Sequence, residues 1–196
     1  MKEKAHFNPK SFTWIISLAI MIVLCVGVIF ASKAIYNLAN EKYNKPVEIG
    51  FTIASEEDMD ISSMNKDNYG VTAVKGAYDA GGNLVAYIVS GTTTGYNTSV
   101  PIEMSTIISA DGTLVCGIDI LKQEETEYLG VRIETDAFKN QFEGRYLPVV
   151  KAGGTDKGST IDVLSNSTIS TQAVIDGVNN AQAFVCENFE SAQVSE

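Results

Sequence analysis

The sequence predicts an α+β protein in which one apolar N-terminal helix precedes a domain built on an antiparallel sheet with helices beside it. Three observations carry this. The run Phe12–Ala31 holds no charged residue. Between residues 71 and 121, stretches rich in Val, Ile, Thr and Tyr alternate with turn dipeptides, the mark of half-buried antiparallel strands. Thr171–Phe189 places Val174, Val178, Ala181 and Val185 on one helical face. Over 196 residues the hydrophobic share is 45% and the charged share 19%, which excludes disorder of the low-hydrophobicity kind. Lys and Arg number 14 against 24 Asp and Glu, a net charge of −10. No basic patch suited to a phosphate backbone is present, so no nucleic-acid partner is expected.

The twenty residues of Phe12–Ala31 would span about 30 Å as a helix, the thickness of a hydrocarbon core. Trp14 lies near one end, where an amphipathic ring suits the interface. Lys2, Lys4 and Lys10 precede the run and Lys33, Lys42 and Lys45 come after it, so lysine counts alone do not orient it. A short tail before the span and a whole domain after it set the expectation. Residues 1–11 form a cytoplasmic tail, 12–31 a single membrane span, 32–46 a stalk, and 47–196 a domain on the extracytoplasmic side of the cell membrane. A cleaved signal peptide is the competing reading, with small residues at Ser32 and Ala34, but the apolar run exceeds the usual signal core. Lipidation of Cys25 is disfavoured, because Leu24 stands where a small residue is needed. After the span 11 basic and 23 acidic residues leave −12, so this part will not adhere to anionic headgroups by charge.

Ala34–Lys45 continues as a helix that Pro46 stops. The acidic run Glu56-Glu57-Asp58 reads as a solvated helix start. Strands are expected at Val71–Tyr78, Asn83–Ser90, Val100–Ser109 and Thr113–Leu121, with turns at 79–82 and at Asp111-Gly112. Gly91–Ser99 is a polar loop, Asp136–Phe142 a short helix, and Pro148–Gly154 an extended segment leading into a loop.

Cys25, Cys116 and Cys186 form no CxxC pair, and the single histidine, His6, precedes the span. Zinc and iron–sulfur sites of the His/Cys kind are therefore excluded after the span, as are Ser/His/Asp and Cys/His nucleophilic arrangements. Two buried thiols are expected rather than a disulfide. Redox chemistry here requires a bound organic cofactor.

The informative stretch is Ile161–Val174, IDVLSNSTISTQAV, a Ser/Thr-rich loop entering an amphipathic helix. A helix N-terminus offers free N–H groups and a positive dipole end, which suits a phosphate. Composition alone favours a plain N-cap at Ser170 or Thr171 surrounded by loop hydroxyls. The stretch resembles the flavinylation motif of FMN-binding domains, D-x-x-S-G-A-T and then x-S/T-S/T. Asp162, Ser165 and Thr168 fall on the outer positions of its first part, and Ser170 and Thr171 on the two hydroxyl positions of its second. Asn166 stands in place of Gly and Ser167 in place of Ala. Glu125-Thr126-Glu127-Tyr128-Leu129-Gly130 is similar to the family's E-T-P-G-L-G, with Glu127 and Tyr128 in place of Pro and Gly. Phe138-Lys139-Asn140-Gln141-Phe142 matches F-x-x-Q-F, and Gly95-Tyr96 with Pro101-Ile102 resembles G-Y-x-x-P-I with a longer interval. With the anchor, the likeness extends over nearly the whole chain to the G subunit of the Rnf complex and to the homologous C subunit of the sodium-pumping NADH:quinone reductase. The shorter length favours the former.

That resemblance implies FMN bound covalently through a phosphoester on Thr168, attached by a flavin transferase. The protein would relay electrons in a complex that couples ferredoxin:NAD+ electron transfer to Na+ or H+ translocation, beside membrane, iron–sulfur and flavin subunits. It would not be catalytic alone. Ser165, Asn166 and Ser167 would shape the loop. The Asp162 carboxylate would accept N–H groups of that loop and present Thr168. Glu125 and Thr126 would either bond the flavin ring or shape the turn, Leu129 and Gly130 would hold the ring, and Lys151 would neutralise the phosphate. A flavin-free scaffold is the alternative of a different class, permitted by Asn166 and Ser167.

Overall fold

The structure is a computed structural model that describes residues 9–154 and 156–189; within its first helix, side chains are described for residues 17–32, 35 and 44. Most of the expected tail, with His6, Lys2 and Lys4, lies outside the described residues. The chain divides into two compact units, Met1–Lys42 and Tyr43–Glu196.

The first unit is the helix α1, Pro9–Asn44, whose last two residues belong to the second unit. It runs through the expected stalk and ends two residues before Pro46. From Leu18 to Phe30 its large apolar side chains are exposed. Among the described residues no helix is long and apolar enough to cross a membrane, and the first five side chains of the Phe12–Ala31 run fall outside them.

The second unit is built on a six-stranded antiparallel sheet in simple chain order: β1 (Ser55–Met59), β2 (Val71–Tyr78), β3 (Leu84–Thr93), β4 (Ile102–Ser109), β5 (Leu114–Lys122) and β6 (Arg145–Tyr146). The four strands expected from the sequence are its centre. The turns between them obey local chemistry. Asp79 accepts the N–H groups of Gly81 and Asn83 at 2.8 and 2.9 Å. Gly112, with φ of 70°, closes the β4–β5 hairpin. The acidic run is a correction: Glu56, Glu57 and Asp58 form the edge strand β1, paired with β2, rather than a helix. A strand covered on neither face lacks the apolar alternation that marks its neighbours, and its charges keep an open edge from pairing further. β7 (Val149–Lys151) and β8 (Ser159–Ile161) make a separate parallel pair.

The short helix α2 (Asp136–Lys139) carries Phe138, which packs edge to face with Phe142 just beyond it at 5.4 Å. The helix α3, Thr168–Asn188, lies on the sheet and starts three residues earlier than its apolar periodicity suggested. Val174, Val178 and Val185 are fully buried, and Ala181 nearly so. They meet a core that includes Tyr87, Ile102, Ile108, Phe142 and Phe184. Contact with β4 is close: a methyl group on Gly177 would stand 2.6 Å from the Met104 sulfur. Asn179 fixes the helix to β7 by accepting the Val149 N–H at 3.0 Å and donating to its carbonyl at 2.9 Å. None of the three cysteines is in a disulfide. Burial, reinforced by the charge of Asp111, pushes the Cys116 thiol up to about 11 and also raises that of Cys186.

Candidate functional site

Three segments distant in sequence converge on a cleft of about 390 Å³, lined by Tyr96, Thr126, Leu129, Gly130 and residues 166–170. One wall is the loop after β3, the second is the loop after β5 with the short 3₁₀ helix Gly130–Glu134, and the third is the entrance of α3.

Glu125 joins these walls. The residue is 8% exposed, and both its carboxylate oxygens accept hydrogen bonds. The N–H groups of Tyr96 and Asn97 donate to it at 3.1 Å each, and the Ser170 hydroxyl donates to Oε2. Asn97 adds a second tie by donating from Nδ2 to the Glu124 carbonyl at 2.8 Å. Two glycines make the approach possible. A methyl group on Gly95 would stand 2.3 Å from Glu125 Oε1, and one on Gly130 would meet Glu125 Cβ at 2.7 Å and Ser170 Oγ at 2.9 Å. Glu125 thus lies behind the cleft and shapes it, while Thr126, Leu129 and Gly130 line it.

The loop before α3 is closed by its own residues. The Ser167 N–H donates to the Leu164 carbonyl at 2.9 Å, and the Leu164 N–H donates to Thr171 Oγ1 at 3.3 Å. Asn166 takes a left-handed backbone with φ of 62°, the conformation that Asn tolerates best after glycine. Tyr128, the other described non-glycine residue with positive φ, at 63°, stands 80% exposed beside the second wall. The expected role of Asp162 is corrected. Its side chain is exposed, no described loop N–H donates to its carboxylate, and its own N–H donates to Gln141 Oε1 at 2.8 Å. The buried Thr171 hydroxyl does the ordering expected of Asp162.

Thr168 is the first residue of α3, exposed and in the cleft. The first N–H of this turn to find a helical acceptor belongs to Thr171, and no acidic residue sits in the turn to compete for the others. Ser165 is exposed and Ser167 buried. Lys151 pairs along the backbone with Ile161 in the β7–β8 ladder and does not line the cleft. The cation that reaches the loop is Arg132, which donates from Nη2 to the Ser165 carbonyl at 2.9 Å. Sequence reasoning missed it because the contact joins residues 33 apart, and no local pattern marks it. It also passed over Tyr96 and Ile169, which are 64% and 54% exposed and with Leu129 form an apolar rim.

The residues present fit a flavin mononucleotide. A helix N-terminus with no acidic residue in its own first turn suits its phosphate, and the rim suits a planar apolar ring. The buried Ser167 hydroxyl has no partner and stands ready for an acceptor.

The profile of the FMN-binding domain family matches residues 95–183, a span that contains every cleft residue. The chain is 33% identical over 187 residues to the G subunit of the ion-translocating oxidoreductase complex of Methanosarcina acetivorans, covering 94% of this chain and 97% of the relative. It is 39% identical over 103 residues to the G subunit of the Na(+)-translocating ferredoxin:NAD(+) oxidoreductase complex of Acetobacterium woodii, covering 50% of this chain and 48% of that one. The protein therefore belongs to the family of G subunits of ion-translocating oxidoreductase complexes. The fold is shared with NqrC of Shewanella oneidensis, at TM-score 0.53 and 17% identity over 63% of this chain and 61% of that one. It is also shared with the C subunit of the Na(+)-translocating NADH-quinone reductase of Parabacteroides distasonis, at TM-score 0.51 and 19% identity over 74% and 79%.

Replacing Glu125 with Ala leaves two part-buried N–H groups and a buried hydroxyl without their acceptor. The expected loss of stability is about 3 kcal/mol, read as a shift of the denaturation midpoint of the full chain in detergent. A loss below about 1 kcal/mol, the size of an ordinary surface substitution, would mean that the carboxylate does not hold the walls together.

Proposed function

We propose that the chain is a membrane-anchored flavoprotein subunit of an Rnf-type complex, with FMN held as a phosphoester on Thr168. The complex would couple ferredoxin:NAD+ electron transfer to translocation of Na+ or H+, and this subunit would relay electrons between its iron–sulfur and flavin partners. One observation carries the reading: the Thr168 hydroxyl is exposed at the first position of a 21-residue helix, in a cleft that opens onto apolar side chains. FMN supplies the capacity to accept and release electrons.

The remaining chemistry is positioning. The first-turn N–H groups of α3 and the positive end of its dipole compensate a phosphate, which matters in a domain of net charge −12 after the apolar run. Tyr96, Leu129 and Ile169 offer apolar surface to a ring and exclude water from one side of it. Glu125 and Thr171 keep the walls in register, so the site is preorganised on a packed helix. A covalent tether would prevent loss of the carrier, and a flavin transferase would install it. Both curated relatives are named as G subunits, whereas the likeness to the C subunits is one of fold; this supports the Rnf assignment over the quinone reductase.

The anchor belongs to this proposal as well. Phe12–Ala31 has the length and apolarity of a single span in the sequence, with the domain after it on the extracytoplasmic side. Protease added to intact spheroplasts should then digest the domain; protection there, with digestion only in inverted vesicles, would reverse the orientation.

For the flavin, the chain co-expressed with a flavin transferase should give a band that fluoresces under ultraviolet light after denaturing electrophoresis. Thr168→Ala should give none while losing under roughly 1 kcal/mol of stability, because the side chain is exposed. Fluorescence retained by the mutant would move the attachment to another hydroxyl of the loop.

A further inference from the structure

Among the described residues of the second unit, five large apolar side chains stand exposed: Tyr96, Leu121, Tyr128, Leu129 and Ile169. Tyr96, Leu129 and Ile169 line the cleft, and a bound ring would account for them. Tyr128 is the most exposed of the five, at 80%, and does not line the cleft. Its place in the backbone is costly as well. The Leu129 N–H donates to the Thr126 carbonyl at 3.1 Å and closes a tight turn whose third residue is Tyr128. Tyr128 has φ of 63°, and Glu127 before it is not in the positive region, so the turn is of the type II kind, which favours Gly or Asn at this position. A tyrosine there carries backbone strain. Among the described residues no side-chain hydrogen bond, ion pair or ring contact involves Tyr128, so no such contact within the chain offsets the strain.

The turn is held firmly at its base. Glu125, one residue before it, is fixed by the Tyr96 and Asn97 N–H groups and the Ser170 hydroxyl, and Gly130, one residue after it, packs against Glu125. Its tip therefore presents a rigid aromatic side chain to the outside at the mouth of the cleft. The tip is also acidic. Glu124 and Glu127 are exposed and take part in no ion pair among the described residues, while Lys122 is engaged by Glu103 at 3.6 Å. Strain at an exposed position is explained by a contact made outside the chain, and a preordered tyrosine is well suited to anchor one.

We propose that the turn Thr126–Leu129 is a docking point for another protein subunit of the same complex, whose surface offers an apolar socket to Tyr128 and Lys or Arg side chains to Glu124 and Glu127. This rests on the reading of the chain as an Rnf-type subunit and names the chemistry of its partner. The charges exclude the other occupants. A domain of net charge −12 is repelled by anionic headgroups, and a second copy would set the same acidic tips against each other. A partner seated on the tip lies beside the opening of the cleft, so docking and access to the flavin are joined in one surface.

The test adds the flavin-loaded full chain in detergent back to complex purified from cells that lack it, and measures the concentration that half-saturates binding. Tyr128→Gly should weaken binding by about ten-fold or more, while its flavin content is unchanged and its melting temperature holds or rises, because glycine relieves the strained φ. Tyr128→Phe, which keeps the ring, should bind as the wild type does. Glu127→Lys and Glu124→Lys should each weaken binding, and added salt should weaken the wild type more than either. A Tyr128→Gly chain that binds as tightly as the wild type overturns the proposal, as does tighter binding by the Lys variants, which would show an acidic partner surface. A wild-type dimer in detergent that Tyr128→Gly abolishes would place a second copy on the tip and overturn it too. The two readings separate in the same assay. A flavin-loaded wild-type chain that fails to bind the complex overturns the Rnf assignment and this inference together. Wild-type binding that none of these substitutions alters overturns this inference alone.

Discussion

The cleft depends on one buried carboxylate. Glu125 collects two N–H groups from the loop after β3 and a hydroxyl from the first turn of α3, and its own backbone belongs to the loop after β5. A carboxylate in the interior is tolerated only when its oxygens are satisfied, and here three donors converge on them. Gly95 and Gly130 are the steric counterpart: any side chain at either position would occupy the space of the carboxylate or of Ser170. The Glu, the two Gly residues and the Ser form one packed unit. That unit links three stretches of sequence that look unrelated when read one at a time.

α3 serves two purposes along its length. Its body is an ordinary core helix, with Val174, Val178, Phe184 and Val185 fully buried. Its first turn leaves N–H groups free at a cleft and carries an exposed threonine beside a buried serine. Rigidity in the body gives precision at the end, since the turn at the cleft cannot shift without disturbing the core. The acidity of the domain adds a requirement. A phosphate brought to this surface would need local positive potential, which the first turn of α3 would supply where the average charge does not.

Much of this was legible in the sequence, for identifiable reasons. β2 to β5 come from the Val-, Ile-, Thr- and Tyr-rich runs and from turn chemistry at Asp79 and Gly112. The buried face of α3 comes from its spacing. The edge strand β1 was not legible, because a strand exposed on both faces carries the charge pattern of a solvated helix. Asn166 was readable as a left-handed residue from its side chain alone, and the structure places it there. Lys151 and Asp162 were assigned by nearness in sequence. In the structure the Thr171 hydroxyl closes this loop locally, and Arg132 reaches it only once segments 33 residues apart meet. Local propensity carries information about elements; the identity of a cation opposite a loop is a property of packing between them.

The central claim is that this cleft carries its flavin on Thr168. It is tested most directly by mapping the modification in the full chain co-expressed with a flavin transferase. Intact-mass measurement and then peptide fragmentation should find one FMN phosphoester, on the peptide that spans the 165–171 loop, with the fragment series placing it on Thr168. An unmodified chain, or a flavin mapped to a residue outside that loop, would contradict the account.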